Sequence, residues 1–156
     1  MARLPLTTRV VMKLDVVCVR WTGSSFFMWL FSRSAALTED PQFRGHHAKA
    51  LVLTTRGRRT GRSRSVVLPC FTFDGRTFVV GSKGGASEDP DWVRNLRTAP
   101  SATICIDRRV RSVTAFLASA EQRALLWPRL IAVAPTYAAY QSATPREIPL
   151  VILQDP

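Results

Sequence analysis

Between Leu53 and Arg64 the chain reads Leu-Thr-Thr-Arg-Gly-Arg-Arg-Thr-Gly-Arg-Ser-Arg, and the part from Arg56 to Arg64 holds five arginines, two glycines and no acid. Apolar β-like runs flank it, Ala50 to Leu53 and Ser65 to Leu68. The chain must therefore fold around a basic loop held between two strands. Glycines let the backbone turn tightly and approach a ligand closely, while arginine forks and free amides suit phosphate or carboxylate oxygens. An anionic ligand is one reading of this loop. A solvated cationic turn, or a patch that meets nucleic acid through its phosphates, is the other.

At 156 residues with 46% hydrophobic content, the chain has room for one domain with a sizeable core. We read residues 1–49 as an N-terminal helical extension and linker, and residues 50–156 as the globular domain. The net charge of +11 comes from 22 basic and 11 acidic residues, and only Lys13, Lys49 and Lys83 among the basic ones are lysines. That bias towards arginine favours planar, bidentate contacts with anions. Cys18, Cys70 and Cys105 form an odd set with no CxxC pair and no histidine at ligand spacing. A reduced, cytosolic chain without a metal site follows. His46 and His47 are adjacent, so they diverge in a helix or strand and read as a surface pair.

Apolar residues dominate from Arg9 to Trp21, but Lys13 and Asp15 interrupt them and no small-residue cleavage site follows. A secretory signal is excluded on that pattern. Trp21 to Ser32 is an uncharged run of a dozen residues between Arg20 and Arg33, whereas a spanning helix needs about 20. The segment either lies in a membrane surface or caps one end of the core. Ala35 to Ala48 holds Pro41 and Gly45 and reads as a linker.

From residue 50 the pattern is β-rich. Ala50 to Thr55 and Ser65 to Phe73 read as strands, and Asp74-Gly75 as a hairpin turn into a third, Arg76 to Gly81. Glu88, Asp89, Pro90 and Asp91 mark a helix start, with Trp92, Val93 and Leu96 at helical spacing before Pro100. Ala102 to Ile106, a turn at Asp107-Arg108-Arg109 and Val110 to Leu117 make a second hairpin. A helix opens at Ser119, and Pro128 predicts a kink or break in it. Pro135 to Gln141 reads as a helical turn and Ile148 to Leu153 as the last strand. The sum is an antiparallel α+β domain of six strands with small flanking helices, a closed or half-closed barrel.

Two further stations stand beside the arginine loop. Ser82-Lys83-Gly84-Gly85 precedes the helix that carries Trp92 and Asn95; the glycines offer bare backbone and Lys83 a point charge. Tyr137 and Tyr140 are the chain's only tyrosines, placed at i, i+3 so that one face presents both. Walker, G-x-G-x-x-G and G-x-S-x-G motifs are absent, and neither paired carboxylates nor a Ser/His/Asp set is supported. A chain with an anion loop and few side-chain catalysts borrows its chemistry from a cofactor.

Taken in order, Leu53 to Arg64, Ser82 to Gly85 with Pro90 to Leu96 and Pro100, and Tyr137 to Gln141 with Thr144, Arg146, Ile148 and Pro149 resemble the deazaflavin-dependent nitroreductase family. The resemblance covers about residues 50 to 153. It implies a split β-barrel that binds coenzyme F420, an 8-hydroxy-5-deazaflavin, and passes a hydride from its reduced form to a quinone or nitroaromatic acceptor. It implies that Arg58, Arg59, Thr60 and Arg64 hold the coenzyme's phosphate and glutamate tail. Ser82, Lys83, Gly84 and Gly85 would face them across the groove, Ser65, Val66, Val67, Val80 and Gly81 would line the ring, and Trp92 and Asn95 would close the pocket. Tyr137 and Tyr140 would position the acceptor, with no side chain acting as the catalyst proper. Family members often touch the inner face of the cell membrane through the N-terminal helix, which implies a cytoplasmic, peripheral protein with no nucleic-acid partner. This chain departs at Ala134, where some members have another tyrosine, and at Pro69-Cys70, where an aromatic residue is common. A flavin- or haem-binding barrel is the nearer alternative and a basic nucleic-acid module the farther one.

Overall fold

The computed structural model describes residues 6–22 and 48–156. The first stretch is helix α1 (Leu6–Thr22). The second runs β1 (Ala48–Arg56), β2 (Ser63–Phe73), β3 (Arg76–Val80), a 3-10 turn (Lys83–Gly85), α2 (Asp91–Thr98), β4 (Ser101–Ile106), β5 (Arg109–Leu117), α3 (Ala120–Val133), α4 (Thr136–Ser142) and β6 (Leu150–Gln154). All neighbouring strands are antiparallel, in the order β1-β2-β3-β6-β5-β4, and β4 returns to β1 to close a barrel. The expected six-stranded α+β barrel is thus the observed one. Both hairpin turns have two consecutive left-handed residues, Asp74 and Gly75 (φ 51° and 75°) and Asp107 and Arg108 (φ 49° and 63°). That geometry suits the twist of paired strands.

Strand alternation sorts the apolar residues into an interior and two outer clusters. Leu51, Leu53, Ile104, Val113 and Val151 fill the barrel, and Trp92, Val93 and Leu96 of α2 pack into it. On one outer face Phe71, Phe78 and Ile152 meet Leu126 and Leu130 of α3 and Tyr137 of α4. On the other, Val52 and Cys105 meet Val19 of α1, which has no exposed surface. The extension is therefore docked on the barrel through α1. Cys70 points into the interior, where its thiol donates to the Lys49 carbonyl at 3.3 Å and burial pushes its pKa up to about 11. It remains a thiol, and so inert, at ordinary pH.

Leu14, Val17 and Trp21 form an exposed stripe on the outward face of α1. Past Thr22, the run to Ser32, the linker and His46-His47 lie outside the described residues; β1 opens at Ala48, two positions before the strand expected from the sequence. Among the described residues no helix is long and apolar enough to cross a membrane.

Helix α3 corrects half of one expectation, the break at Pro128. Ser119 starts it with a reciprocal cap, its Oγ accepting from the Gln122 amide at 3.2 Å while its own amide donates to Gln122 Oε1 at 2.9 Å. Pro128 then sits inside a continuous helix. Both Pro128 and Ala124, whose carbonyl loses its partner, are exposed. On this exposed face the freed carbonyl is open to hydration, and the helix runs on through the proline.

Candidate functional site

The register brings all three stations to one end of the barrel. β1 runs towards Arg56 and β2 leaves from Ser63 opposite it. β3 runs back towards the same end and delivers the 3-10 turn and α2. β2 is longer than its partner on that side: it pairs with β3 only from Cys70 to Phe73, while Ser63 to Pro69 pair with β1 alone. A continued ladder would set Gly81 opposite Leu68. Instead the Gly81 amide donates to the Pro149 carbonyl at 2.9 Å and the chain turns away. A split results, with the open edge of β2 on one side and the turn on the other.

The arginine loop is folded tightly at one end of this split. The Gly57 amide donates to the Arg62 carbonyl at 2.9 Å, and the Gly61 amide to the Gly57 carbonyl at 2.7 Å. Asn95 of α2, only 3% exposed, anchors the loop: its Oδ1 accepts from the Arg58 amide at 3.1 Å and from Arg58 Nη1 at 3.2 Å, and its Nδ2 donates to Thr55 Oγ1 at 3.1 Å. Arg58 Nη1 also meets Asp91 at 2.9 Å. Asn95 is thus a clamp, and Arg58 keeps only the other edge of its fork for a ligand. Among the described residues no carboxylate pairs with Arg56, Arg59, Arg62 or Arg64, and all four are exposed. Thr60 is exposed beside them. Four close, unpaired cations raise the energy of the free protein and favour a polyanionic partner.

Across the split, Lys83 is exposed and left-handed at φ 49°, and a side chain at Gly84 would meet nothing within 4 Å. Gly81 and Gly85 are glycines for a different reason. A Cβ at Gly81 would lie 2.8 Å from Pro149 Cγ and 2.9 Å from Val93 Cγ2, and one at Gly85 2.9 Å from the Tyr140 carbonyl oxygen. They are close contacts within the protein, so Gly84 alone of the three turns bare backbone outward. Trp92 is 8% exposed and belongs to the interior cluster. On β2, Ser65 is exposed and shares a 2.8 Å hydrogen bond with Thr54, Val66 packs towards the interior and Val67 towards α1. Their common offering to the split is main chain. Val80 packs on the outer face under α4.

Tyr137 and Tyr140 meet edge to face at 5.9 Å, and Tyr137 also meets Phe71 edge-on at 5.9 Å. Tyr137 is buried, and burial first and Tyr140 second push its phenol far above the usual range. It stays neutral and braces Tyr140, which is half-buried. Ala134 is buried in the same cluster. Sequence reasoning gave no role to Arg146, yet its side chain binds the turn from behind; its place among the motif residues was the available signal.

A family model of F420H(2)-dependent quinone reductases matches residues 27–155. The chain belongs to that family. A Mycobacterium tuberculosis protein provisionally named an F420H(2)-dependent quinone reductase is 38% identical over 104 residues, 67% of this chain and 87% of that one. A second from that organism, named F420H(2)-dependent quinone reductase, is 34% identical over 108 residues, 67% of this chain and 72% of the other. The solved F420-H2 dependent reductase FDR-A superposes with a TM-score of 0.61 at 31% identity, over 67% of this chain and 93% of that one. As an F420H(2)-dependent quinone reductase family member the chain is an oxidoreductase that uses coenzyme F420. The geometry suits such a coenzyme, since one end of the barrel joins unpaired arginines, open strand backbone and a phenol.

Proposed function

We propose that F420 occupies the split between β2 and the 3-10 turn and that F420H2 there reduces a quinone. The observation that carries this reading is the set of unpaired arginines beside the open edge of β2. Arg59, Thr60 and Arg64, with the free edge of Arg58, hold the phosphate and the carboxylates of the tail. Ser82, Lys83 and Gly84 close on the coenzyme from the other side. The main chain at Ser65, Val66 and Val67 flanks the ring, while Val80, Gly81, Gly85, Trp92 and Asn95 keep the wall behind it in place. When bound, the reduced deazaflavin supplies the hydride. The protein's part is orientation and exclusion of water, and Tyr140 donates a hydrogen bond where negative charge builds on the acceptor oxygen. Nitroaromatics are the poorer acceptors on this reading, because position 134 supplies a buried methyl group in place of a phenol; paired assays with a naphthoquinone and a nitrobenzene rank the two classes.

The test is a fluorescence titration with oxidised F420. Arg59→Ala/Arg64→Ala is the informative variant, since both side chains are exposed and unpaired. With about 1.5–3 kcal/mol for each charge-assisted contact, loss of the pair weakens binding by at least about a hundredfold. The control, Arg108→Ala/Arg109→Ala, removes the same charge at the opposite end of the barrel and leaves Kd within about threefold. Equal losses in both variants would mean attraction by net charge without a site.

The exposed stripe of Leu14, Val17 and Trp21, bordered by exposed Lys13 and Arg20, supports peripheral contact with an anionic membrane, the phase in which apolar quinones dissolve. Leu14→Ser/Trp21→Ser is expected to abolish co-sedimentation with phosphatidylglycerol vesicles without changing F420 affinity. Unchanged sedimentation of the variant would refute the contact.

A further inference from the structure

Arg146 stands between α4 and β6 with its side chain 15% exposed. Its Nε donates to the Ala86 carbonyl at 2.8 Å, Nη2 to the carbonyls of Gly81 at 3.0 Å and Ser82 at 2.8 Å, and Nη1 to Asp89 at 2.9 Å. A guanidinium has five N–H groups, so almost nothing remains for a ligand. Asp89 also meets Arg97 at 3.1 Å. The charge of Arg146 is answered inside the protein, and its effect on any ligand must be geometric.

That effect follows from the peptide unit. In a trans peptide the carbonyl and the next amide point in opposite directions. Drawing the oxygens of Gly81 and Ser82 onto Arg146 turns the amides of Ser82 and Lys83 the other way. Ser82 is right-handed (φ −69°, ψ −41°), and Lys83 and Gly84 are left-handed at φ 49° and 63°. The change of hand from Ser82 to Lys83 is the backbone pattern in which successive amides face one concavity suited to an anion. Among the described residues none accepts from the amides of Ser82, Lys83 or Gly84.

We propose that Arg146 is a positioning residue: it holds the turn by its carbonyls so that the amides of Ser82, Lys83 and Gly84 form a preorganised cradle for an oxyanion, beside the Lys83 ammonium. The assignment of that oxyanion to the coenzyme rests on the F420 reading above; the cradle itself does not.

Two measurements test it. In the first, amide NMR spectra of the wild-type chain are followed on addition of inorganic phosphate. The signals of Ser82, Lys83 and Gly84 shift together; no shift at those three positions overturns the cradle. In the second, Arg146→Lys keeps the charge but cannot span four acceptors. Its phosphate shifts are lost, and its Kd and KM for F420 rise about tenfold, while kcat and the KM for the quinone stay within about twofold. A folded Arg146→Lys protein with wild-type phosphate shifts and wild-type F420 affinity refutes the positioning role and leaves the F420 reading intact. Should the wild-type chain bind no F420, that reading falls, and the phosphate shifts alone then decide for or against the cradle.

Discussion

Asn95→Leu is expected to destabilise the chain by about 3 kcal/mol and to free the arginine loop. The side chain is buried and makes three hydrogen bonds, two to Arg58 and one to Thr55. Leucine keeps the branched skeleton and is somewhat larger, so no cavity is left. The loss comes from the Thr55 hydroxyl, which is buried, and the half-buried Arg58 amide, each left without a partner at about 1–3 kcal/mol. For a chain of this size the expected fall in Tm is about 10 °C. Asn95→Asp separates the contributions. It keeps the oxygen that accepts from both Arg58 donors and takes the Thr55 hydroxyl as a donor, so its loss stays near 1 kcal/mol. Urea melts measure the stabilities, and hydrogen exchange at residues 55–62 reports whether the loop opens locally. A leucine variant as stable as the aspartate one would refute the clamp.

Gly85→Ala is expected to cost about 3 kcal/mol, well above Gly84→Ala. Both residues are left-handed, at φ 78° and 63°, so both alanines carry the backbone penalty of about 1–2 kcal/mol. Only Gly85 also meets a wall. Its added Cβ would stand 2.9 Å from the Tyr140 carbonyl oxygen and 3.0 Å from Ala143 Cβ, whereas at Gly84 there is open space. Backbone cannot yield as a flexible side chain does, and overpacking adds about 1–3 kcal/mol. Chemical denaturation of the two variants side by side gives the difference. Equal stabilities would mean that contact with α4 does not hold the turn. Because α4 also carries Tyr140, the quinone KM is expected to rise with Gly85→Ala.

Much of the architecture could be read from local chemistry. Asp74-Gly75 announced a hairpin, the acids from Glu88 to Asp91 announced a helix start, and the apolar run from Ser65 to Phe73 announced a strand. What escaped was long-range. Nothing in the composition of β1 and β4 shows that they close the barrel, 50 residues apart in sequence, and nothing in Val66 and Val67 shows which faces the interior. Glycine carries the same ambiguity: a pair after a strand reads as bare backbone for a ligand, but Gly81 and Gly85 are small because Pro149, Val93 and Tyr140 stand against them. Pro128 was read as a kink or a break because its missing amide is visible in the sequence and the exposure of Ala124 is not. Asn95 and Arg146 were legible as types of residue, and their partners were not.

The edge of β2 that faces away from β1, free from Ser63 to Pro69, sets a limit on what mutagenesis can reveal. It offers amides and carbonyls that every residue except proline carries, so a ligand seated along Ser65 to Leu68 is held by groups that alanine scanning leaves in place. Side-chain mutagenesis would report that wall as silent. An amide-to-ester replacement there, which deletes one donor and keeps the side chain, would make it speak. The same property lets residues along the wall change identity while the hydrogen-bond pattern persists, so sequence divergence at these positions is a poor guide to loss of the ligand.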